Sequence, residues 1–167
     1  MLRPFRGQMP RVHPTAFVDE TAQVIGDVEI GAESSVWMHV VLRGDTNAIR
    51  VGARTNVQDN SVVHVDSGAC AAIVGDEVTI GHGAIVHGCT IEDRVLIGMG
   101  AIVLSGARIG TESLIAAGAL VAEGCVVPPR SLVMGTPGQV RRALTDEEVA
   151  RIRQSAEHYV KNRLDYQ

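Results

Sequence analysis

Residues 91–127 read IEDRVLIGMGAIVLSGARIGTESLIAAGALVAEGCVV, and a branched aliphatic residue returns at every sixth position of this stretch. A period of six fits neither an amphipathic helix, which repeats about every 3.6 residues, nor a flat strand, which repeats about every two. A short strand followed by a turn, repeated three times per coil, does fit it. Each aliphatic side chain then points into a triangular prism and stacks on its equivalent in the next coil, at about the 4.8 Å spacing of neighbouring strands. The stretch therefore predicts a parallel β-helix whose stacked coils share one core.

The same repeat extends in both directions along the chain. Counted towards the N-terminus, it reaches Val12. The phase slips by three residues after Leu42 and by five residues after Val63, and the step after Val86 is five residues long instead of six. Forwards it continues in phase to Val133. The fold class predicted from this register is all-β.

The C-terminal part departs from the repeat. Pro137 interrupts the pattern, so we place a β-helix domain at 1–140 and a helix at 145–165. Thr145 and Glu148 have the spacing of a capping box, which marks the start of that helix. One apolar face runs along it, formed by Val149, Ile152, Ala156, Tyr159 or Val160, and Leu164. We expect this face to pack back along the β-helix or onto a neighbouring subunit.

The composition limits the classes of function. The chain of 167 residues has a net charge of −4 and a pI of about 5.8, so no basic surface for nucleic acid or anionic lipid is expected. No apolar run approaches the roughly 18 residues of a membrane span, and the N-terminal residues lack the apolar region of a secretory signal. Three cysteines, an odd number at no metal-like spacing, are typical of reduced thiols. These features predict a cytoplasmic protein that binds neither nucleic acid nor membrane.

Three histidines gain meaning from their place in the repeat. His64 and His87 each directly follow a core aliphatic residue, and those two aliphatic residues lie one full coil apart. Both imidazoles are therefore predicted on one face, one strand apart, where they suit a zinc ion with Zn–N distances of about 2.0–2.1 Å. His82 stands one repeat earlier, around a corner of the prism. It completes the set only across an interface of a threefold assembly, which predicts a homotrimer with metal sites shared between subunits.

The same register aligns an ion pair with the proposed interface. Arg43 lies one coil before His64, and Asp59 lies one coil before His82. Where the two faces meet in a trimer, Arg43 of one subunit confronts Asp59 of the next, and such a pair would fix the interface register. Two further side chains flank this seam and are able to orient a water, Gln58 and Asp45.

Four motifs carry a family resemblance. LRGD (42–45), NVQD (56–59), VVHV (62–65) and GHGAIVHGC (81–89) are similar to the motif series of the gamma-class carbonic anhydrases, over about residues 12–140. The resemblance implies the hexapeptide-repeat fold, a left-handed parallel β-helix that commonly forms trimers. It also implies a zinc cofactor, with iron(II) or cobalt as substitutes, and the reversible hydration of CO2 to bicarbonate by a lyase.

The resemblance further implies residue roles. Carried over by motif, it assigns His64, His82 and His87 as the metal ligands, and Arg43 with Asp59 as the inter-subunit pair. It assigns Asp45 and Asn56 to the support of that pair, and Gln58 to a hydrogen bond with the reactive water. Tyr159 on the terminal helix is implied to approach the metal. Three neutral imidazoles leave a fourth position on zinc, where a bound water has a pKa of about 7.

The chain departs from the best-known active members of that class in two places. They carry an acidic loop after the first histidine ligand and a glutamate after the Arg–x–Asp stretch, whereas this chain has VDSGACAA after His64 and Thr46 after Asp45. Both carboxylates expected of a proton shuttle are absent, so the sequence leaves open the shuttle, the native metal and the physiological substrate. Two alternatives stay open: a metal-dependent thioesterase or acyltransferase of the hexapeptide-repeat family, and a non-catalytic metal-binding assembly subunit.

The remaining histidines and one cysteine are expected to play no part in the site. His13, His39 and His158 lack partners in register and are predicted at the surface or in turns. Cys89 stands close to a predicted ligand, but a cysteine in such a position is more often a small buried core residue than a thiolate ligand.

Overall fold

The structure, a computed structural model, describes residues 1–68 and 70–166. In this part of the chain, parallel strands wind into a three-sided prism, which ends in an antiparallel hairpin and is flanked by the helix α1 (Asp146–Asn162) and a 3-10 turn (Arg163–Tyr166). The strands are, in chain order, β1 Leu2–Arg3, β2 Arg11–Val12, β3 Phe17–Val18, β4 Gln23–Ile30, β5 Ser35–Val36, β6 Val41–Val51, β7 Asn56–Val57, β8 Val62–His64, β9 Ala72–Val74, β10 Thr79–Ile80, β11 Ile85–His87, β12 Thr90–Ile91, β13 Leu96–Ile97, β14 Ile102–Val103, β15 Arg108–Ile109, β16 Leu114–Ile115, β17 Leu120–Val121, β18 Val126–Val127, β19 Ser131–Met134 and β20 Gln139–Ala143.

The strands form three faces, each a ladder of parallel pairs. The histidine face contains the first parts of β4 and β6, followed by β8, β11, β14 and β17. The far face contains β2, the second parts of β4 and β6, and then β9, β12, β15 and β18. The helix face contains β3, β5, β7, β10, β13, β16 and β19. This arrangement is the left-handed parallel β-helix that the repeat and the resemblance predict, so the predicted fold class is confirmed.

The core of the prism is the column of repeat aliphatic residues. Val63 pairs in register with Val86, and Ile80 with Ile97, so equivalent residues of successive coils stack. From Val24 to Val133, each member of the predicted series is at most 4% exposed. The residue two positions before each aliphatic also turns inward and is usually small, because two large side chains per strand would not fit the narrow prism.

The phase slips in the sequence correspond to two local enlargements of the coil. After Leu42, strand β6 continues without a break around a corner to Val51, which uses the three extra residues. The five extra residues fall directly after His64. The two enlargements pack on each other, because the Asn47 side-chain amide donates to the carbonyl of Asp66 at 3.2 Å and to that of Gly68 at 2.8 Å.

The corner between the far face and the helix face carries a ladder of charged residues. Their backbones are left-handed, with φ of 55–57°, at Glu33, Arg54, Glu77, Arg94, Glu112 and Arg130. This conformation costs a non-glycine residue roughly 1–2 kcal/mol. The charges alternate in sign along the corner, and Arg54 binds both Glu33 and Glu77 at 3.2 Å. We infer that the ion pairs offset part of the backbone strain and hold neighbouring coils in register.

Helix α1 runs back along the prism of its own chain. The capping box at Thr145 and Glu148 is confirmed. Val149 and Ile152 form a buried cluster with Leu144, against which leucines of the helix face pack, namely Leu96, Leu114 and Leu132. The sequence placed Leu164 on the same apolar face, and this prediction is wrong because the helix tightens to a 3-10 turn after Asn162. The change of period turns Leu164 outward, where it is 58% exposed. The predicted division of the chain at residue 140 stays a prediction, and β20 straddles it.

An aromatic cluster fixes the far end of the helix. Four of the five aromatic residues of the chain meet where α1 and the 3-10 turn reach the first coils. The Trp37 ring lies 5.3 Å from Phe17, 5.5 Å from Tyr159 and 5.0 Å from Tyr166 between ring centroids. Edge and tilted contacts of this kind stabilise beyond the area they bury. The cluster therefore determines where Tyr159 lies.

Candidate metal centre

His64 and His87 meet on the histidine face. They end neighbouring strands, β8 and β11, and are paired directly in register, which confirms the predicted spacing of one strand. His64 Nδ1 lies 3.1 Å from His87 Nε2. Two nitrogens bound tetrahedrally at about 2.0–2.1 Å from one zinc ion lie about 3.3 Å apart. The pair is therefore spaced as two corners of a metal tetrahedron.

The outer nitrogen of each imidazole is held by a hydrogen bond. His64 Nε2 donates to Asp45 Oδ1 at 3.0 Å, which leaves the Nδ1 lone pair facing His87. His87 Nδ1 lies 2.9 Å from the Ser105 hydroxyl. When the imidazole donates this bond, its Nε2 also presents a lone pair, and the two lone pairs face each other. A shared cation stabilises such an arrangement, and hydrogen bonds to the outer nitrogens are the usual way in which proteins orient metal-binding histidines.

His82 lies elsewhere on the chain. It sits in the turn between β10 and β11, at the corner where the helix face meets the histidine face. Its Nδ1 binds Asp59 Oδ2 at 2.8 Å, and its side chain is 48% exposed. Among residues 1–68 and 70–166, no three His, Cys, Asp or Glu side chains are grouped closely enough to hold a metal ion. Within one chain the structure thus joins His64 to His87 and keeps His82 apart, as the register predicts.

Arg43 and Asp59 each have a partner within the chain. The Arg43 guanidinium forms an ion pair with Asp45, and Asp59 binds His82. Partial burial opposes the ionisation of Asp45, but hydrogen bonds from His64 and Arg43 together outweigh it, so the pKa of Asp45 lies below its usual value. Asp45 is therefore a carboxylate at neutral pH. The predicted pairing of Arg43 with Asp59 between subunits stays a prediction.

Gln58 and Asn56 belong to the His82 side of the site. Asn56 is buried in β7, and its side-chain oxygen accepts a hydrogen bond from Gln58 Nε2 at 3.0 Å. The resemblance assigned Asn56 to the support of the interface ion pair, whereas its bonds go to Gln58 and to Thr79. Gln58, His82 and Tyr159 line a cavity of about 400 Å³ between α1 and the helix face. Burial, and then the nearby charge of Asp59, raises the pKa of Tyr159.

The other candidate side chains are separate from this centre. His13 bonds to Thr15 in a turn, and His158 bonds to Asn162 on the helix surface. Cys89 is buried in the core, and burial raises the pKa of its thiol to about 12, so it is a thiol and not a thiolate. Ser105 was not among the site residues predicted from the sequence. Its position could have been read from the repeat, because it lies one coil after His87.

The chain lacks a membrane-crossing helix in the part that the structure describes, since α1 is too short and too polar. The cytoplasmic location stays a prediction.

A β-helix of six-residue repeats with a histidine pair on one face defines a hexapeptide-repeat protein with a candidate metal centre. The family model "Bacterial transferase hexapeptide (six repeats)" matches residues 88–123. The "Probable carbonic anhydrase" of Methanocaldococcus jannaschii is 51% identical over 140 residues, which cover 84% of this chain and 87% of that protein. "Gamma carbonic anhydrase 1, mitochondrial" of Arabidopsis thaliana is 49% identical over 155 residues, which cover 90% of this chain and 56% of that protein.

A solved structure of a hexapeptide-repeat protein shares the fold over nearly the whole chain. The hexapeptide transferase family protein of Anaplasma phagocytophilum matches with a TM-score of 0.96 at 41% identity, over 99% of this chain and 98% of the other. The chain belongs to the gamma carbonic anhydrase-like group of the hexapeptide-repeat family. It spans 56% of the length of the two mitochondrial Arabidopsis relatives that it matches.

Proposed function

We propose that this protein is a gamma-class carbonic anhydrase, a lyase that interconverts CO2 and bicarbonate at zinc sites shared between the subunits of a homotrimer. The observation that carries the proposal is the pair His64 and His87, whose facing nitrogens lie 3.1 Å apart while both outer nitrogens are held. The carbonic anhydrase relatives imply a metal cofactor for the group.

The donor set fits zinc. Neutral imidazole nitrogens are preferred zinc ligands, and a site with three protein ligands retains an open position, as catalytic zinc sites require. His64 and His87 of one subunit would supply two ligands, and His82 of a neighbour the third, with iron(II) or cobalt as substitutes. A zinc ion bound there supplies Lewis acidity and lowers the pKa of a water ligand towards neutrality.

The chain's own residues have separate tasks in this proposal. Asp45 and Ser105 hold the two paired imidazoles in the tautomers that bind metal, and Asp59 does the same for His82. Gln58 lies beside His82 with its side-chain oxygen free of the Asn56 bond, and we assign it the role of accepting a hydrogen bond from the reactive water. Tyr159 closes the helix side of the cavity.

The proposal is tested by stopped-flow CO2 hydration on protein of measured metal content and measured mass. A trimer with about one zinc per chain and a rate well above that of buffer is expected. His87→Ala should lose both the metal and the rate, whereas His158→Ala, which removes a surface histidine, should keep both. A zinc-loaded trimer without any CO2 hydration would contradict the proposed activity.

A second candidate is a metal-dependent thioesterase or acyltransferase. The cavity of about 400 Å³ favours it, because it adjoins His82 and is far larger than CO2 requires. The Anaplasma relative is named as a hexapeptide transferase family protein. The same metal-loaded preparation, given acyl-CoA thioesters in place of CO2, distinguishes the two activities.

A further inference from the structure

A row of hydrogen bonds connects Gln58 to the terminal helix. Gln58 Nε2 donates to Asn56 Oδ1 at 3.0 Å, and Asn56 Nδ2 donates to the Thr79 hydroxyl at 2.9 Å. The Thr79 hydroxyl in turn donates to Ser155 Oγ at 3.3 Å, across 76 residues of sequence. Gln58, Asn56 and Thr79 are all buried, whereas Ser155 lines the same cavity as Gln58 and His82.

The direction of this row is fixed by a backbone carbonyl. Asn56 Nδ2 also faces the carbonyl oxygen of Val78, at 3.4 Å, and a carbonyl only accepts hydrogen bonds. The Asn56 amide nitrogen must therefore point towards Val78 and Thr79, and its oxygen towards Gln58. Gln58 consequently donates with Nε2 and turns its own side-chain oxygen away from Asn56. Thr79 uses a lone pair for Asn56, so its single proton goes to Ser155.

We propose that Thr79 and Ser155 are positioning residues that, together with the Val78 carbonyl, hold the orientation of the Gln58 carboxamide, so that this residue presents its oxygen, and not its NH2 group, to the reaction site. The inference rests on the proposed function for the role of Gln58, but the orientation itself is a property of the chain. It assigns the terminal helix a part in the site, because Ser155 lies on α1.

The helix is held in a way that suits this role. Arg153, two residues before Ser155, forms an ion pair with Glu112 at the charged corner, and Tyr159, four residues after it, packs on Trp37. Ser155 is thus held on both sides. Without Ser155, the Thr79 hydroxyl loses the acceptor that directs its lone pair to Asn56, and the carbonyl of Val78, at 3.4 Å, is left to hold the orientation of the two amides more weakly.

The test uses metal-free protein labelled with ¹⁵N at the glutamine side chains. Among the glutamines that the structure describes, Gln58 is the most buried, so its NH2 group should exchange slowest with solvent, and the signal that disappears in Gln58→Glu identifies it. In Ser155→Ala and in Thr79→Val we expect this NH2 group to exchange about three- to tenfold faster, the factor that corresponds to the loss of one neutral hydrogen bond. Ser155→Thr and Thr79→Ser keep a hydroxyl and should restore slow exchange.

Thr90→Val is the matched control, because Thr90 precedes a core isoleucine in β12 as Thr79 does in β10. It should leave the Gln58 signal unchanged. Unchanged Gln58 exchange in Ser155→Ala, with the helix content intact, would overturn the proposal and leave Ser155 a merely structural residue. Should Thr79→Val fail to fold, Ser155→Ala decides alone, since the Ser155 side chain is only half-buried and its replacement should not disturb folding.

A second readout uses the zinc-loaded enzyme. The kcat/KM for CO2 hydration should fall about three- to tenfold in Ser155→Ala at unchanged zinc content, and not further when Ser155→Ala is added to Gln58→Ala. Additive losses would overturn the proposal, because they would show that Ser155 acts by another route. An enzyme without CO2 hydration would contradict the proposed function alone, and the exchange measurement would still decide the orientation of Gln58.

Discussion

Mixed trimers separate the two halves of the proposed metal site. One chain carries His82→Ala and retains the pair His64 and His87, and the other carries His87→Ala and retains His82. Neither homotrimer contains a complete site, because every subunit of the first lacks His82 and every subunit of the second lacks His87. If each site takes the pair from one subunit and His82 from the next, a trimer that contains both chains regains a site wherever the two intact halves meet.

The expected recovery follows from the geometry of a ring of three. Whether a mixed trimer contains two copies of the first chain or two of the second, only one of its three seams joins an intact pair to an intact His82. Mixed trimers are therefore expected to bind about one zinc ion, against about three in the unmodified trimer and about none in either homotrimer. Random assembly without purification should restore about a quarter of the sites.

The assay is co-expression of the two chains with different affinity tags, tandem purification and elemental analysis of zinc per trimer. CO2 hydration per trimer should follow the zinc at about one third of the unmodified value. Full zinc in the His82→Ala homotrimer would refute the reasoning, because His82 would then be unnecessary. Mixed trimers without zinc would refute it as well, because all ligands would then come from one chain. The His39→Ala homotrimer serves as the control for the His82→Ala homotrimer and should retain full zinc occupancy.

Three further predictions concern metal affinity, packing and pH. Asp45→Asn is expected to weaken zinc binding about tenfold, because it removes the charged partner of the His64 imidazole. Competition with a chelator measures the zinc affinity, and an unchanged affinity would count against the role of Asp45 in holding His64. Ile97→Ala, in the core, should lower the free energy of unfolding by about 2–5 kcal/mol, as measured by denaturant titration. Ile73→Ala, on the outer surface of β9, should lower it by much less. Equal losses in the two variants would mean that the register of the β-helix is wrong. The hydrogen bond from Arg153 lowers the pKa of Glu112 below its ordinary value of 4.5, so the stability that the ionised form contributes is present at neutral pH and is lost as the pH falls below that value. The difference in Tm between the unmodified protein and Glu112→Gln should therefore shrink in acid, and a difference independent of pH would disprove the role of the charge.

The repeat made much of the fold predictable. An inward aliphatic residue every six positions leaves few alternatives to a prism of stacked coils, and the count along the chain then places His64 beside His87 without further information. The capping box predicted the start of α1 in the same way, since both depend on residues close in sequence. The outward turn of Leu164 was not predictable, because it depends on a local tightening of the helix after Asn162 that the spacing of the apolar residues does not indicate.

The partners of the site residues depend on contacts that the spacing of residues along the sequence does not indicate. Ser155 approaches Thr79 because the aromatic cluster at Trp37 and the ion pair at Glu112 fix the path of α1 along the helix face. Local periodicity specifies which side of a strand or helix is apolar, but not where a separate helix lies on a prism.

By itself, then, the sequence determined the β-helix, the register of its coils and the separation of His82 from the other two histidines, because each of these follows from a fixed period along the chain. Only the tertiary structure decided that α1 lies on the helix face of its own chain, and that a row of hydrogen bonds joins this helix to Gln58. The reason is that these contacts join residues far apart in sequence, and their geometry depends on how whole elements pack.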